Sequence, residues 1–136
     1  MNRAEIKNIL PHREPMLLVD EVELIDGKSV GKYTVTGDEF FLQGHFPGNP
    51  IVPGVILCEM MGQSSCLLIN KQNKSVTPFF TGIKNVKFKQ PVVPGDTIVF
   101  TCELVRQIGS IYMIKAEGRV NNKLTLSGEL SFAVVE

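Results

Sequence analysis

The chain has 136 residues, with 14 basic and 14 acidic side chains, three cysteines, two histidines and no tryptophan. That length suits one domain able to bury a core without disulfides or metal, and 43% hydrophobic residues with a mean hydropathy of +0.11 exclude a disordered chain. Zero net charge excludes nucleic-acid binding through bulk charge, and two histidines leave little material for zinc.

At the amino terminus Arg3, Glu5 and Lys7 interrupt any apolar run, so no signal peptide is expected. Cysteines in odd number without C-x-x-C spacing fit a reducing compartment, and the chain is expected in the cytoplasm. Residues 3–9 are predicted to form a short helix that stops before Leu10-Pro11. Strands are predicted over 17–23 and 28–35, joined by a turn at Asp26-Gly27. Residues 37–54 carry Gly37, Gly44, Pro47, Gly48, Pro50, Pro53 and Gly54, a rigid irregular loop of the kind that holds active-site groups.

A helix over 53–70 follows, about 27 Å long at 1.5 Å per residue. Pro53 suits its start, and Lys71 and Lys74 complement the negative end of its dipole. Apolar nearly all round, it is expected to be buried along its length. Pro53, Glu59, Gln63 and Ser64 keep residues 51–69 from reading as a membrane span. The remainder alternates as strands do: Ile98, Phe100, Cys102 and Leu104; Tyr112, Ile114 and Ala116; Leu124, Leu126, Leu130 and Phe132. Gly109-Ser110 and Asn121-Asn122 supply hairpin turns. Two strands before one buried helix and about four after it predict an α+β fold, with an antiparallel sheet curled around a central helix in a single domain, residues 1–136. Asn49-Pro50-Ile51-Val52-Pro53-Gly54 is echoed by Gln90-Pro91-Val92-Val93-Pro94-Gly95, which reads as a recurring turn and not a duplication.

Glu59 lies inside the apolar helix, with no lysine or arginine three or four residues away and Gln63 one turn on. A buried carboxylate without a local partner is expected to shift its pKa upward, which makes a general acid. The other reading sets Glu59 on a solvated stripe or against a distant Arg13. His45, in Gly44-His45-Phe46-Pro47-Gly48, is either a base for proton transfer or a loop plug. The amides of Gly54 and its neighbours open the helix without partners and can stabilise a carbonyl oxygen, and Glu59 lies about 7.5 Å further along the axis. Base, acid and oxyanion site together suggest proton abstraction beside a carbonyl. His12, beside a proline, reads as structural. Met60 and Met61 read as packing, and the cysteines as small buried hydrophobes.

The run from Gly44 to Val55, followed by Glu59 and Gln63, closely resembles the FabZ-type β-hydroxyacyl-[acyl carrier protein] dehydratases. Leu10 to Asp20 and Gly82 to Asp96 resemble the same family. The resemblance implies a hot-dog fold and a homodimer with composite sites, often a trimer of dimers. His45 from one protomer would take the α-proton, the Gly54 N–H would hold the thioester oxygen, and Glu59 of the other, oriented by Gln63, would assist departure of the β-hydroxyl. No metal or redox cofactor is implied. FabA-type enzymes, which also isomerise the double bond, usually carry Asp at the acid position, so Glu59 favours the FabZ type. A dehydratase–isomerase, a hot-dog thioesterase and a non-catalytic acyl-binding subunit are the rival readings. Ile51-Val52, Cys58 and Met60-Met61-Gly62 depart from the usual residues and bear on acyl-chain preference.

Between Met60 and Gly95 stand five lysines (71, 74, 84, 87 and 89) and no acidic residue. Such a run is commonly a solvated edge. Beside the resemblance it suggests a docking surface for acyl carrier protein, with Lys84, Lys87 and Lys89 contributing.

Overall fold

The computed structural model describes residues 1–69 and 77–135. Chain order runs through α1 (Arg3–Ile6), β1 (Glu21–Ile25), β2 (Lys28–Thr34), a 3-10 turn (Phe40–Leu42), α2 (Gly54–Ser64), α3 (Cys66–Ile69), β3 (Thr77–Phe88), β4 (Thr97–Ile108), β5 (Ile111–Val120) and β6 (Lys123–Val135). The strands form one six-stranded sheet, ordered β1-β2-β4-β5-β6-β3, in which every neighbouring pair is antiparallel. Two of its hairpins turn on residues in the left-handed region, Asp26 and Gly27 at φ 51° and 78°, Asn121 and Asn122 at 51° and 66°. That conformation matches the right-handed twist of the flanking strands.

The predicted alternation decides the inner face. Ile98, Phe100 and Cys102 of β4, Ile114 and Ala116 of β5, and Leu126, Leu130 and Phe132 of β6 pack with Leu57, Met60 and Met61 of α2 into one core. A second cluster joins Ile6, Leu10, Leu17, Val19 and Val22 to Cys66. The helix wrapped by an antiparallel sheet is the hot-dog arrangement. All three cysteines are free and buried, and burial pushes their thiols up, that of Cys66 to about 12. They pack as small buried hydrophobes. Among the described residues no helix is long and apolar enough to cross a membrane.

Three expectations need correcting. The first strand begins at Glu21 and not at Leu17, because residues 17–19 hydrogen-bond elsewhere: Leu17 O and Val19 O accept from Arg3, and Leu18 N–H donates to Gln63. The helix expected over 53–70 breaks at Ser65, and its last residue, with Lys71 and Lys74, lies outside the described residues. Serine hydroxyls cause the break: Ser65 Oγ donates to Gly62 O at 2.6 Å and Ser29 Oγ to Ser64 O at 2.6 Å. They take up carbonyls that continued helix amides would otherwise use. Nor is the helix buried throughout, since Val55 is 77% exposed.

The Ser64 turn presses directly on β2. A Cβ at Gly31 would overlap the Ser64 hydroxyl and lie 3.0 Å from Ser64 Cα. Overpacking of this kind against backbone costs about 1–3 kcal/mol. Gly31→Ala is therefore expected to lower the urea midpoint by that free energy, with the denaturant slope unchanged.

Candidate active site

The loop ahead of α2 doubles back on itself. Phe46 and Asn49 exchange backbone hydrogen bonds of 3.0 and 2.9 Å, and Ile51 N–H donates to His45 O at 2.9 Å. His45 Nδ1 then lies 2.9 Å from Ile51 O. A carbonyl only accepts, so Nδ1 carries the proton and Nε2 keeps a free lone pair, as a base requires. The ring also stacks on Phe46, centroids 4.2 Å apart. The two echoing proline–glycine segments meet here, Val52 N–H donating to Val92 O at 2.9 Å.

At the start of α2 the Gly54 amide has no carbonyl one turn back to bind. The absence of a side chain at Gly54 makes room for Phe88, whose ring would lie 2.9 Å from a Cβ there. His45, Gly54, Leu57, Phe88, Lys89 and Val92 line a common cavity of about 340 Å³.

Glu59 belongs to a second cavity, of about 230 Å³, with His12, Gln63, Leu10, Phe80 and Phe132. Gln63 is 3% exposed and fully committed. Its Oε1 accepts from Leu18 N–H at 2.7 Å, and its Nε2 donates to Met16 O and to Glu59 Oε2, each at 2.8 Å. One N–H and one carbonyl from the backbone fix which way the amide points, so Glu59 meets the donor end. From the other side His12 Nε2 comes within 3.4 Å of the same Glu59 oxygen.

This arrangement overturns the expected upward pKa of Glu59. Burial does push it up, but the hydrogen bonds of His12 and Gln63 to the charged form outweigh burial and hold the carboxyl below its ordinary value. The carboxylate is only partly buried, its side chain 24% exposed. Arg13 is not its partner: that guanidinium caps the carbonyls of Lys7, Leu10 and His12. The histidine read as structural is the one that reaches Glu59. Its signal was absent from local spacing, since His12 arrives through tertiary packing from a loop 47 residues upstream.

The structure thus brings His45 to Gly54, and Glu59 to Gln63, but sets the two pairs in separate cavities. The three lysines also part company. Lys84 lies opposite Glu129 in the sheet register, and Lys87 shares an outer groove with Glu103, Glu117 and Glu129. Lys89 alone of the three lines the His45 cavity.

Gln63→Leu would strand the Leu18 N–H, and an unsatisfied buried donor costs about 1–3 kcal/mol. The variant is expected to lose that much stability in urea and to release Glu59 toward a higher pKa, read from its carboxyl 13C resonance.

Residues 10–129 match the family model described as the FabA-like domain. The chain is 48% identical to the 3-hydroxyacyl-[acyl-carrier-protein] dehydratase FabZ of Clostridium perfringens, over 98% of this chain and 99% of that one. It is 44% identical to the enzyme of the same name from Caldicellulosiruptor bescii, over 98% of each. Among solved structures, the dehydratase heterocomplex ApeI:P from Xenorhabdus doucetiae superposes with a TM-score of 0.80 at 21% identity, over 96% of this chain and 91% of that one, a likeness of fold.

Proposed function

The chain belongs to the FabA-like family, among its FabZ-type dehydratases, and on that premise we propose that it converts (3R)-hydroxyacyl-[acyl carrier protein] thioesters to trans-2-enoyl thioesters in fatty acid biosynthesis. His45 Nε2 takes the α-proton, the Cβ–O bond breaks, the C=C bond forms and water departs. The Gly54 amide, at the positive end of α2, receives the charge that builds on the thioester oxygen. Glu59 engages the β-hydroxyl and assists its departure. The thioester itself acidifies the α-carbon, so the step asks for no metal or redox cofactor. We read the enzyme as cytoplasmic, in keeping with its three unpaired, buried thiols.

The observation that carries the reading is the free lone pair of His45 Nε2 beside the opening amides of α2. Its separation from Glu59 supports a homodimer. β3 is a sheet edge with Phe79, Ile83 and Phe88 each more than half exposed. Phe79 and Phe80, near one end, line the Glu59 cavity; Phe88, at the other, lines the His45 cavity. Antiparallel pairing of two β3 edges about a two-fold axis sets the first end of one copy against the second end of the other. His45 of one protomer then faces Glu59 of its partner, and the sheet edge finds its hydrogen bonds.

Hydration of crotonyl and longer enoyl thioesters, the reverse reaction, tests the chemistry. His45→Ala and Glu59→Gln are each expected to lose at least about 100-fold in kcat while remaining folded. Full activity in either refutes the assignment. Mixing the two variants reads the composite site: a heterodimer holds one intact His45–Glu59 pair, so activity returns on subunit exchange. No recovery means that the site lies within one chain.

Lys89, at the His45 cavity, is the lysine best placed to meet an acidic carrier protein and the phosphate of its prosthetic arm. Lys89→Glu is expected to raise KM several-fold for carrier-protein substrates, and less for a small thioester lacking a phosphate. An unchanged KM for the carrier-protein substrate counts against this surface.

A further inference from the structure

We propose that His12 is a positioning residue for Glu59, gripping one carboxylate oxygen opposite Gln63 so that the other oxygen alone is presented to the substrate's β-hydroxyl. The proposal rests on the dehydratase reading above and deepens the role of the same site.

Glu59 Oε2 takes the Gln63 amide at 2.8 Å and faces His12 Nε2 at 3.4 Å, while Oε1 has no hydrogen-bond partner among the described residues. The His12 contact is longer than a good hydrogen bond, as catalytic contacts commonly are before substrate binds. Its direction is still fixed by chemistry. A carboxylate oxygen accepts, so the proton sits on Nε2. His12 Nδ1 is buried without a partner, and a bare lone pair is tolerated there better than a bare N–H. The imidazole therefore points an Nε2–H at Glu59. A loop plug would have no need to aim its one donor at a carboxylate and leave its other nitrogen unpaired.

The backbone holds this orientation. Arg13 donates to His12 O at 2.7 Å and to Leu10 O at 3.0 Å, and the amides of Met16 and Leu17 turn back onto Arg13 O. The same loop supplies Met16 O and Leu18 N–H, which orient Gln63. One short segment thus grips Glu59 from two sides.

Surrounding charge does not compete. The remaining walls of the cavity are Leu10, Gly62, Gln63, Pro78, Phe79, Phe80 and Phe132, so His12 and Glu59 are the ionisable pair within it. Arg13 is committed to carbonyls, and Glu14 to Arg3 and Lys7. In the proposed dimer, His45 of the second protomer faces Glu59 from across the joint.

A carboxylate whose Oε2 is held by donors enters the reaction as an acceptor. Its Oε1 accepts a hydrogen bond from the β-hydroxyl, which keeps its own proton, and this turns a lone pair of the hydroxyl oxygen toward His45. The proton that His45 Nε2 removes from the α-carbon then passes to the hydroxyl oxygen as the Cβ–O bond breaks. Water leaves, and both side chains return to their starting states.

The test compares His12→Phe with His12→Gln in the full-length protein, using hydration of crotonyl thioester and the carboxyl 13C resonance of Glu59, assigned by its loss in Glu59→Gln. His12→Phe removes a donor that favours the charged form. Its Glu59 resonance is expected to titrate at higher pH than in the unsubstituted protein, with kcat lower by up to about 100-fold and KM little changed. His12→Gln, whose amide donates from near the place of Nε2, is expected to recover most of kcat. An unmoved Glu59 titration in His12→Phe, or equal kcat losses in both variants, overturns the proposal. Should His12→Phe fail to fold, the long-range 1H–15N spectrum of the unsubstituted protein decides. A His12 Nε2–H tautomer supports the proposal, and an Nδ1–H tautomer overturns it. Failure of the unsubstituted protein to hydrate any enoyl thioester strikes the dehydratase reading instead, and the Glu59 titration still decides the role of His12.

Discussion

Gln63 ties the candidate site to the fold. A glutamine this deeply buried must satisfy its amide at both ends, and it does so by crossing from α2 to the backbone of residues 16–18. Leu18 can then no longer give its N–H to a sheet neighbour. Arg3 acts from the opposite side, taking Leu17 O at 2.8 Å while its guanidinium pairs with Asp20 at 2.8 Å and Glu14 at 3.2 Å. A stretch of sequence with strand-like composition is thereby withdrawn from the sheet and bonded to the Gln63 amide that holds Glu59. The strand lost there and the site gained are one event.

The same economy governs α2. Its first turn presents amides to the His45 cavity, and its second turn carries Glu59 to a different cavity. Both ends need a rigid helix, and the core around Met60 and Met61, each 0% exposed, provides it. Gly62 is the price of the close fit: a Cβ there would lie 3.0 Å from the rings of both Phe80 and Phe132, which stack 4.8 Å apart. These two rings form the apolar side of the Glu59 cavity, so the glycine beside the carboxylate lets the sheet approach the helix closely enough to shape it.

Most of the fold was legible because it follows from local patterns. Alternation over 97–104 and 111–116 decides which faces turn inward, and Asn121-Asn122 or Asp26-Gly27 suits the left-handed turn that an antiparallel hairpin needs. The end of the central helix was not legible, since Ser65 Oγ takes Gly62 O and Ser29 Oγ, from β2, takes Ser64 O. At the site, the pairing of Glu59 with Gln63 one helical turn away could be read directly. The contribution of His12 could not, because a proline-flanked loop histidine carries no periodicity and its partner is far away in sequence. The pKa direction of Glu59 was inverted for the same reason: burial was visible in the apolar helix, and the two donors that overcome it were only half visible.

Charge distribution shows the same difference between composition and placement. A chain with zero net charge has no long-range field to offer a partner. Yet charges separate locally, because a lysine facing glutamates within a few ångströms is largely neutralised while one standing apart is not. Lys28 pairs with Glu103 at 3.6 Å, and Lys87 and Lys115 share that groove with Glu117 and Glu129. Lys89 instead lies among Phe88, Gln90, Pro91 and Val92, with no carboxylate lining its cavity among the described residues. At physiological salt the field of such a lysine persists for about 8 Å. Of the run's described lysines, Lys84 and Lys87 thus stand near glutamates of the sheet, and Lys89 stands beside the proposed base.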